Sequence, residues 1–121
     1  MSNILVVDDQ LGIRRLLLET FKEDHHSVEM AADGIDAIEL LRSFHPDLIL
    51  MDMKMPGMNG IDTLRKIRAL DKKVDVIMMT AYGDAQNMEQ AKELDVIHYI
   101  SKPFDLFELR DKVKKILSKN N

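Results

Sequence analysis

The sequence predicts a single doubly wound α/β domain in which five short strands alternate with five helices. Five apolar runs rich in β-branched residues are each followed by a segment whose apolar positions have helical spacing. The central runs are continuously apolar, as strands covered on both faces of a parallel sheet are. The 121 residues contain no Pro- or Ser-rich linker, and their number suits one domain.

The five predicted strands are residues 4–7, 27–30, 47–51, 74–79 and 96–100. Each helix is predicted from apolar side chains that recur every three or four residues and so share one face. In chain order these are Ile13, Leu16, Leu17 and Phe21; Ala37, Ile38, Leu41 and Phe44; Ile61, Leu64 and Ile67; Ala85, Met88, Ala91 and Leu94; and Leu106, Leu109, Val113, Ile116 and Leu117. The fourth stripe is the narrowest, so we expect its helix to pack loosely or to face a partner. Residues 118–121 are predicted to be a flexible polar tail.

Composition excludes several classes of protein. The chain has 17 Lys and Arg against 21 Asp and Glu, and a net charge of −4 disfavours a duplex nucleic-acid binder. It has no Cys, which excludes a disulfide framework and a thiolate metal site. Its first residues lack a basic segment, and their apolar run is too short for a signal peptide or a membrane helix. We expect a monomeric protein of the cytoplasm that binds neither nucleic acid nor membrane.

Polar side chains follow four of the five predicted strands. Asp8 and Asp9 follow the first, Asp52 the third, Thr80 the fourth and Lys102 the fifth. Ligands of doubly wound sheets bind beyond the carboxyl ends of the strands, so these residues are expected to meet at one edge. Three clustered carboxylates repel one another, and a hard cation removes the conflict. The sequence therefore predicts a Mg²⁺ site, with Mn²⁺ as the alternative ion.

Taken singly, each of these residues has a structural interpretation. Asp8 or Asp9 could cap a helix, and Asp52 could be a turn residue. Thr80 could be an ordinary strand-end hydroxyl, and Lys102 a solvated charge. Their joint placement at one edge favours the functional interpretation.

Four motifs surround these strand ends: VVDD at residues 6–9, LILMDMKMPGMNG at 48–60, MMTAY at 78–82 and SKPF at 101–104. Together they resemble the receiver domain of two-component response regulators, the CheY-like family. The resemblance spans essentially the whole chain and implies a flavodoxin-like sheet of strand order 2-1-3-4-5. It also implies one receiver domain over residues 1–121 with no output domain, so that signals leave through contacts with other proteins.

The resemblance implies a phosphoacceptor site. Asp52 is the expected acceptor, and Asp8, Asp9 and the backbone carbonyl of Lys54 are expected to hold the metal with it. Lys102 is expected to pair with the phosphoryl oxygens. The protein would then be a phosphoacceptor that assists its own phosphorylation and dephosphorylation, rather than an enzyme acting on a separate substrate.

The resemblance also implies residues that change position on phosphorylation and residues that control how long the phosphoryl group lasts. Thr80 is the expected switch residue, whose hydroxyl moves toward the phosphoryl oxygen. Tyr99 is the aromatic residue expected to move inward after it. Lys54 and Tyr82 are expected to flank the path of hydrolytic water, and their bulk predicts a persistent phosphoryl group. The Lys102–Pro103 bond is expected to be cis. Three methionines near the acceptor are predicted to be surface residues: Met53, Met55 and Met58.

Among single-domain receivers, the chain most resembles the intermediates of sporulation phosphorelays, through DDQLGIR at residues 8–14, Tyr82-Gly83 and Lys102-Pro103-Phe104. Such proteins take a phosphoryl group from sensor histidine kinases and pass it to a histidine phosphotransferase. An aspartyl-phosphate phosphatase is a further expected partner. The expected docking face around the acceptor consists of Gln10, Gly12, Ile13, Leu16, Tyr82, Pro103 and Phe104. The alternative for Ile13 and Leu16 is a place in the core.

Three other functions are alternatives to the relay. A chemotaxis-type receiver is suggested by Tyr99, because the relay proteins carry a His near this position and many other receivers carry an aromatic residue there. A haloacid-dehalogenase-type phosphohydrolase would need Asp-x-Asp after the first strand, but Asp8 and Asp9 are adjacent. A flavodoxin would place a Ser/Thr-rich phosphate loop there, where two carboxylates would instead repel phosphate.

Overall fold

The computed structural model describes residues 2–81 and 84–119, in which five strands and five helices alternate. The strands are β1 (Asn3–Val7), β2 (Ser27–Ala31), β3 (Leu48–Asp52), β4 (Asp75–Thr80) and β5 (His98–Ser101). The helices are α1 (Leu11–Glu23), α2 (Gly34–Leu40), α3 (Gly60–Leu70), α4 (Ala85–Glu93) and α5 (Leu106–Ser118). The strands form one parallel sheet in the order β2-β1-β3-β4-β5. Both the predicted fold class and the strand order are confirmed.

The sheet separates two apolar clusters because successive side chains of a strand point to opposite faces. In β1, Leu5 and Val7 pack with residues of α2, α3 and α4, whereas Ile4 and Val6 pack with residues of α1 and α5. Ile4, Leu5, Val6 and Val7 are all fully buried. Burial on both faces explains why the central strands are continuously apolar.

Helix α2 is shorter than its apolar stripe predicts. It ends at Leu40, so Phe44 lies beyond it, although Phe44 still packs against the first cluster. The amides of Arg42 and Ser43 bond to carbonyls three residues back, as in a tightened final turn. Pro46 follows soon afterwards and disfavours helical backbone in the residue before it.

The structure also bears on two other predictions, the narrow apolar stripe of α4 and the flexible tail at residues 118–121. Helix α4 buries Ala91 while Ala85 is exposed, which agrees with a narrow apolar stripe. Ser118 is the last residue of α5 and does not belong to a tail, and residues 120 and 121 lie outside the described residues. No helix in the described part of the chain is long and apolar enough to cross a membrane.

Three helices begin at side chains that accept hydrogen bonds from their first turn. Asp33 accepts from the amide of Asp36, Asn59 from that of Asp62, and Asp105 from that of Phe107. Such caps satisfy amides that have no partner within the helix. Asp84 precedes α4 but makes no capping hydrogen bond with its side chain.

Candidate functional site

The carboxylates of Asp8 and Asp52 meet because of the register between β1 and β3. Val7 pairs with Met51, and continuing this register by one residue places Asp8 beside Asp52. Neighbouring strands lie about 4.8 Å apart, so side chains at paired positions are close. Asp8 is fully buried, and Asp52, the last residue of β3, is 7% exposed.

Asp9 completes a group of three carboxylates. One oxygen of each of Asp8, Asp9 and Asp52 lies within 4.8 Å of the others. Asp9 is exposed, so the group opens to solvent on one side. Three carboxylates around an open position suit Mg²⁺, which takes a few protein oxygens and keeps several waters. The residues present therefore fit the expected ion, while the carbonyl of Lys54 remains a predicted ligand.

Lys102 supplies the positive charge of the site. Its Nζ lies 2.6 Å from Asp8 Oδ2, 3.4 Å from Asp52 Oδ2 and 3.4 Å from Gln10 Oε1. Its backbone N–H donates to the carbonyl of Thr80 at 2.6 Å, which ties the end of β5 to the end of β4. The Lys102–Pro103 bond is cis, as expected. One ammonium group thus contacts both buried carboxylates.

Asp52 has the strongest electrostatic perturbation of the site. Burial and the nearby charge of Asp8 raise the pKa of its carboxyl from 3.8 to about 6. The Lys102 ammonium and a hydrogen bond from the backbone N–H of Lys54 lower this pKa in part. A carboxylate with a raised pKa is a better nucleophile than an ordinary one, and near neutral pH it is still mostly ionised.

Two residues hold Asp8 from the start of α1. The backbone N–H of Gln10 donates to Asp8 Oδ1 at 2.8 Å, and the Arg14 guanidinium donates to the carbonyl of Asp8 at 2.8 Å. The sequence prediction assigned Gln10 to docking alone and gave Arg14 no role. The spacing of six residues between Asp8 and Arg14, across a loop and one helical turn, was the available signal.

The predicted switch residues lie on one face of the sheet. Met78 pairs with Tyr99, and alternation gives Thr80 the same face as Met78. The buried Thr80 hydroxyl donates to the carbonyl of Ile100 at 3.3 Å. The Tyr99 hydroxyl donates to the carbonyl of Val96 at 2.9 Å.

The residues of the predicted docking face differ in how exposed they are. The exposed ones are Gln10, Gly12, Leu16 and Pro103. Ile13 and Phe104 are half-buried and pack against the second apolar cluster, so the core alternative applies to Ile13 in part. Leu16 is 43% exposed and is not a core residue. Tyr82 lies outside the described residues.

The prediction of surface methionines near the acceptor is wrong for two of the three. Met53 is 1% exposed and Met55 is 8% exposed, whereas Met58 is half-buried. The reason is that the loop after β3 folds tightly onto the sheet. Met53 donates its amide to the carbonyl of Met79, and Gly60 bonds back to the carbonyl of Met53.

Asp84 was missed by the sequence reasoning. It is 2% exposed, and its Oδ1 lies 3.5 Å from Lys54 Nζ, so it links the loop after β3 with the loop after β4. An Asp immediately before a helix is commonly interpreted as a cap, so nothing in the sequence indicated a buried ion pair at Asp84.

Comparisons with known proteins agree with this geometry. Residues 4–114 match the family model of the response regulator receiver domain. Sporulation initiation phosphotransferase F of Bacillus subtilis is 46% identical over 96% of this chain and 94% of its own. Chemotaxis protein CheY of Halobacterium salinarum is 32% identical over 97% and 98% of the two chains. The solved structure of Thermotoga maritima response regulator TrrA, in complex with Mg²⁺-BeF, is 34% identical with a TM-score of 0.84, over 96% and 99% of the chains. The chain therefore belongs to the response regulator receiver domain family.

Proposed function

We propose that this receiver accepts a phosphoryl group on Asp52 from a sensor histidine kinase in the cytoplasm and passes it to a histidine phosphotransferase. The observation that carries the proposal is the convergence of Lys102 with three carboxylates, one of them the buried Asp52, at one sheet edge. The relay role and its place at the initiation of sporulation are supported by the likeness to sporulation initiation phosphotransferase F over nearly the full length of both chains.

The transfer is a displacement at phosphorus. A carboxylate oxygen of Asp52 forms a bond to phosphorus while the bond between phosphorus and the histidine nitrogen of the kinase breaks, and the imidazole leaves. Lys102 stabilises charge on the transferring oxygens. Asp8, Asp9, Asp52 and the carbonyl of Lys54 would hold Mg²⁺, which when bound supplies further positive charge at those oxygens. Onward relay is the same displacement in reverse, with a histidine of the phosphotransferase as nucleophile.

Thr80 and Tyr99 are proposed to report the phosphorylated state. The Thr80 hydroxyl is bonded to the Ile100 carbonyl, so it must give up this bond to reach a phosphoryl oxygen on Asp52. Tyr99 shares the sheet face of Thr80 and is half-buried beside it, so it can move into space that Thr80 leaves.

The test combines the protein, Mg²⁺ and a sensor kinase carrying labelled phosphohistidine, followed by a histidine phosphotransferase. Label is expected to enter the wild type, to be absent from Asp52→Asn, and to move on to the phosphotransferase. Asp62→Asn serves as control, because Asp62 is an exposed carboxylate on α3 that pairs with Arg65 and does not belong to the group of three carboxylates. Equal labelling of Asp52→Asn would contradict the acceptor role.

A chemotaxis-type output is the second candidate, in which phosphorylation controls binding of a target protein. Tyr99 at the switch position favours it, as does the 32% identity to the archaeal chemotaxis protein. Label that enters Asp52 but never reaches a phosphotransferase would favour this candidate over the relay. An aspartyl-phosphate phosphatase would remove the phosphoryl group in either case.

A further inference from the structure

Asp84 differs from three other residues that precede helices in where its side chain points. Asp33, Asn59 and Asp105 accept hydrogen bonds from the helices that follow them. Asp84 instead accepts a hydrogen bond from the backbone N–H of Ala81, which precedes it in the chain, at 2.6 Å. Its side chain therefore faces back toward the end of β4 and not into α4.

The environment of Asp84 is costly for a charge unless it is paired. The side chain is 1% exposed, and its Oδ1 accepts no hydrogen bond from the residues that the structure describes. Lys54 Nζ lies 3.5 Å from this oxygen. A buried carboxylate needs a countercharge, because it has lost the water that would otherwise solvate its charge. Lys54 provides this charge from a side chain that is 66% exposed.

The two partners of Asp84 belong to the loops that follow β3 and β4. Lys54 is two residues beyond Asp52, and its backbone N–H bonds to the Asp52 carboxylate. Ala81 directly follows Thr80. Since β3 and β4 are neighbours, the ion pair holds the Lys54 side chain across the edge where both strands end.

We propose that Asp84 is a positioning residue that acts through Lys54 to protect the phosphoryl group on Asp52. In hydrolysis, a water oxygen bonds to phosphorus, the bond between phosphorus and the Asp52 oxygen breaks, and inorganic phosphate leaves. Held by Asp84, the Lys54 side chain obstructs the approach of that water. This inference rests on the proposed phosphorylation of Asp52.

The test measures the decay of labelled phosphoryl protein in Mg²⁺ for Asp84→Asn, Lys54→Ala and the double variant. Asp84→Asn is expected to speed decay about two- to fivefold, the range for one ion pair with an exposed partner. Lys54→Ala is expected to speed decay at least as much. In the Lys54→Ala background, Asp84→Asn should add nothing, since the side chain through which it acts is gone.

Glu89→Gln is the matched control, because it removes one negative charge from the exposed face of α4. Glu89 is paired with Lys92 and not with Lys54. The decay rate of this variant should equal that of the wild type. Thermal unfolding of each variant checks folding, and Lys54→Ala tests the pair from its exposed side if Asp84→Asn does not fold.

Two results would overturn the inference while leaving phosphorylation of Asp52 intact. One is a labelled Asp84→Asn variant that decays as slowly as the wild type, or more slowly. The other is an Asp84→Asn effect that persists undiminished in the Lys54→Ala background, which would mean that Asp84 acts by charge alone. A wild type that takes up no label would instead contradict the proposed function itself.

Discussion

Asp52 carries a charge in a place that disfavours it, because burial and Asp8 raise its pKa to about 6. A carboxyl whose folded pKa exceeds its unfolded value near 3.8 binds its proton more tightly in the folded state. Ionisation of Asp52 therefore lowers the free energy of unfolding. This loss of stability reaches its full size above about pH 6 and disappears as the pH falls below about 4.

The first prediction follows from this sign. Without divalent cations, Asp52→Asn is expected to raise the free energy of unfolding by roughly 1–3 kcal/mol at pH 7.5 and by little at pH 4. Urea unfolding at both pH values measures the difference. Glu39→Gln, an exposed carboxylate, should show no such pH-dependent gain. A gain that is equal at both pH values would show that ionisation of Asp52 is not its cause.

Two glycines provide a second prediction about single residues. A Cβ at Gly60 would lie 2.5 Å from the backbone oxygen of Asp52 and 3.0 Å from Met53 Cα, whereas one at Gly12 would meet nothing within 4 Å. Gly60→Ala is expected to cost about 1–3 kcal/mol, because the backbone that carries the acceptor must shift. Gly12→Ala, inside α1, is expected to be neutral or stabilising by up to about 1 kcal/mol. Equal unfolding midpoints for the two variants would contradict the close approach at Gly60.

Among the elements, helix α1 serves both the core and the predicted docking face through adjacent leucines. Leu17 is fully buried in the second cluster, and Leu16 is 43% exposed. Leu17→Ala is expected to cost about 2–5 kcal/mol. Leu16→Ala is expected to cost less than about 1 kcal/mol but to slow phosphoryl transfer to the phosphotransferase. Unfolding and transfer rates measured on both variants separate the two roles, and normal transfer by Leu16→Ala would remove it from the docking face.

Elements were predictable where burial on both faces leaves a pattern in the sequence. The apolar runs at β1, β3 and β4 could be recognised, and the residues that follow them were correctly placed at one edge. The end of α2 was not predicted, since Leu41 and Phe44 continue the apolar stripe after the helix has stopped. Met53, Met55 and Asp84 were also missed, because the burial of a loop depends on long-range packing that no local pattern records.

At the scale of the whole molecule, metal binding and stability are linked. An ion that binds the folded chain stabilises it, by about 1.4 kcal/mol at ten times its dissociation constant. Mg²⁺ is therefore expected to raise the melting temperature of the wild type above its value in NaCl of equal ionic strength. Asp9→Asn should abolish this increase with little effect on the metal-free protein, since Asp9 is exposed. An Asp9→Asn variant that responds to Mg²⁺ like the wild type would exclude Asp9 from the metal site.

The contact between Lys102 and Asp8 joins residues that are 94 positions apart in the chain. Asp8 and Asp52 belong to the first half of the sequence, but the cation that contacts both of them comes after the last strand. During synthesis on the ribosome, both carboxylates are therefore made before the ammonium group that pairs with them. The complete acceptor site can be available to a kinase only after residue 102 has been added and β5 has joined the sheet.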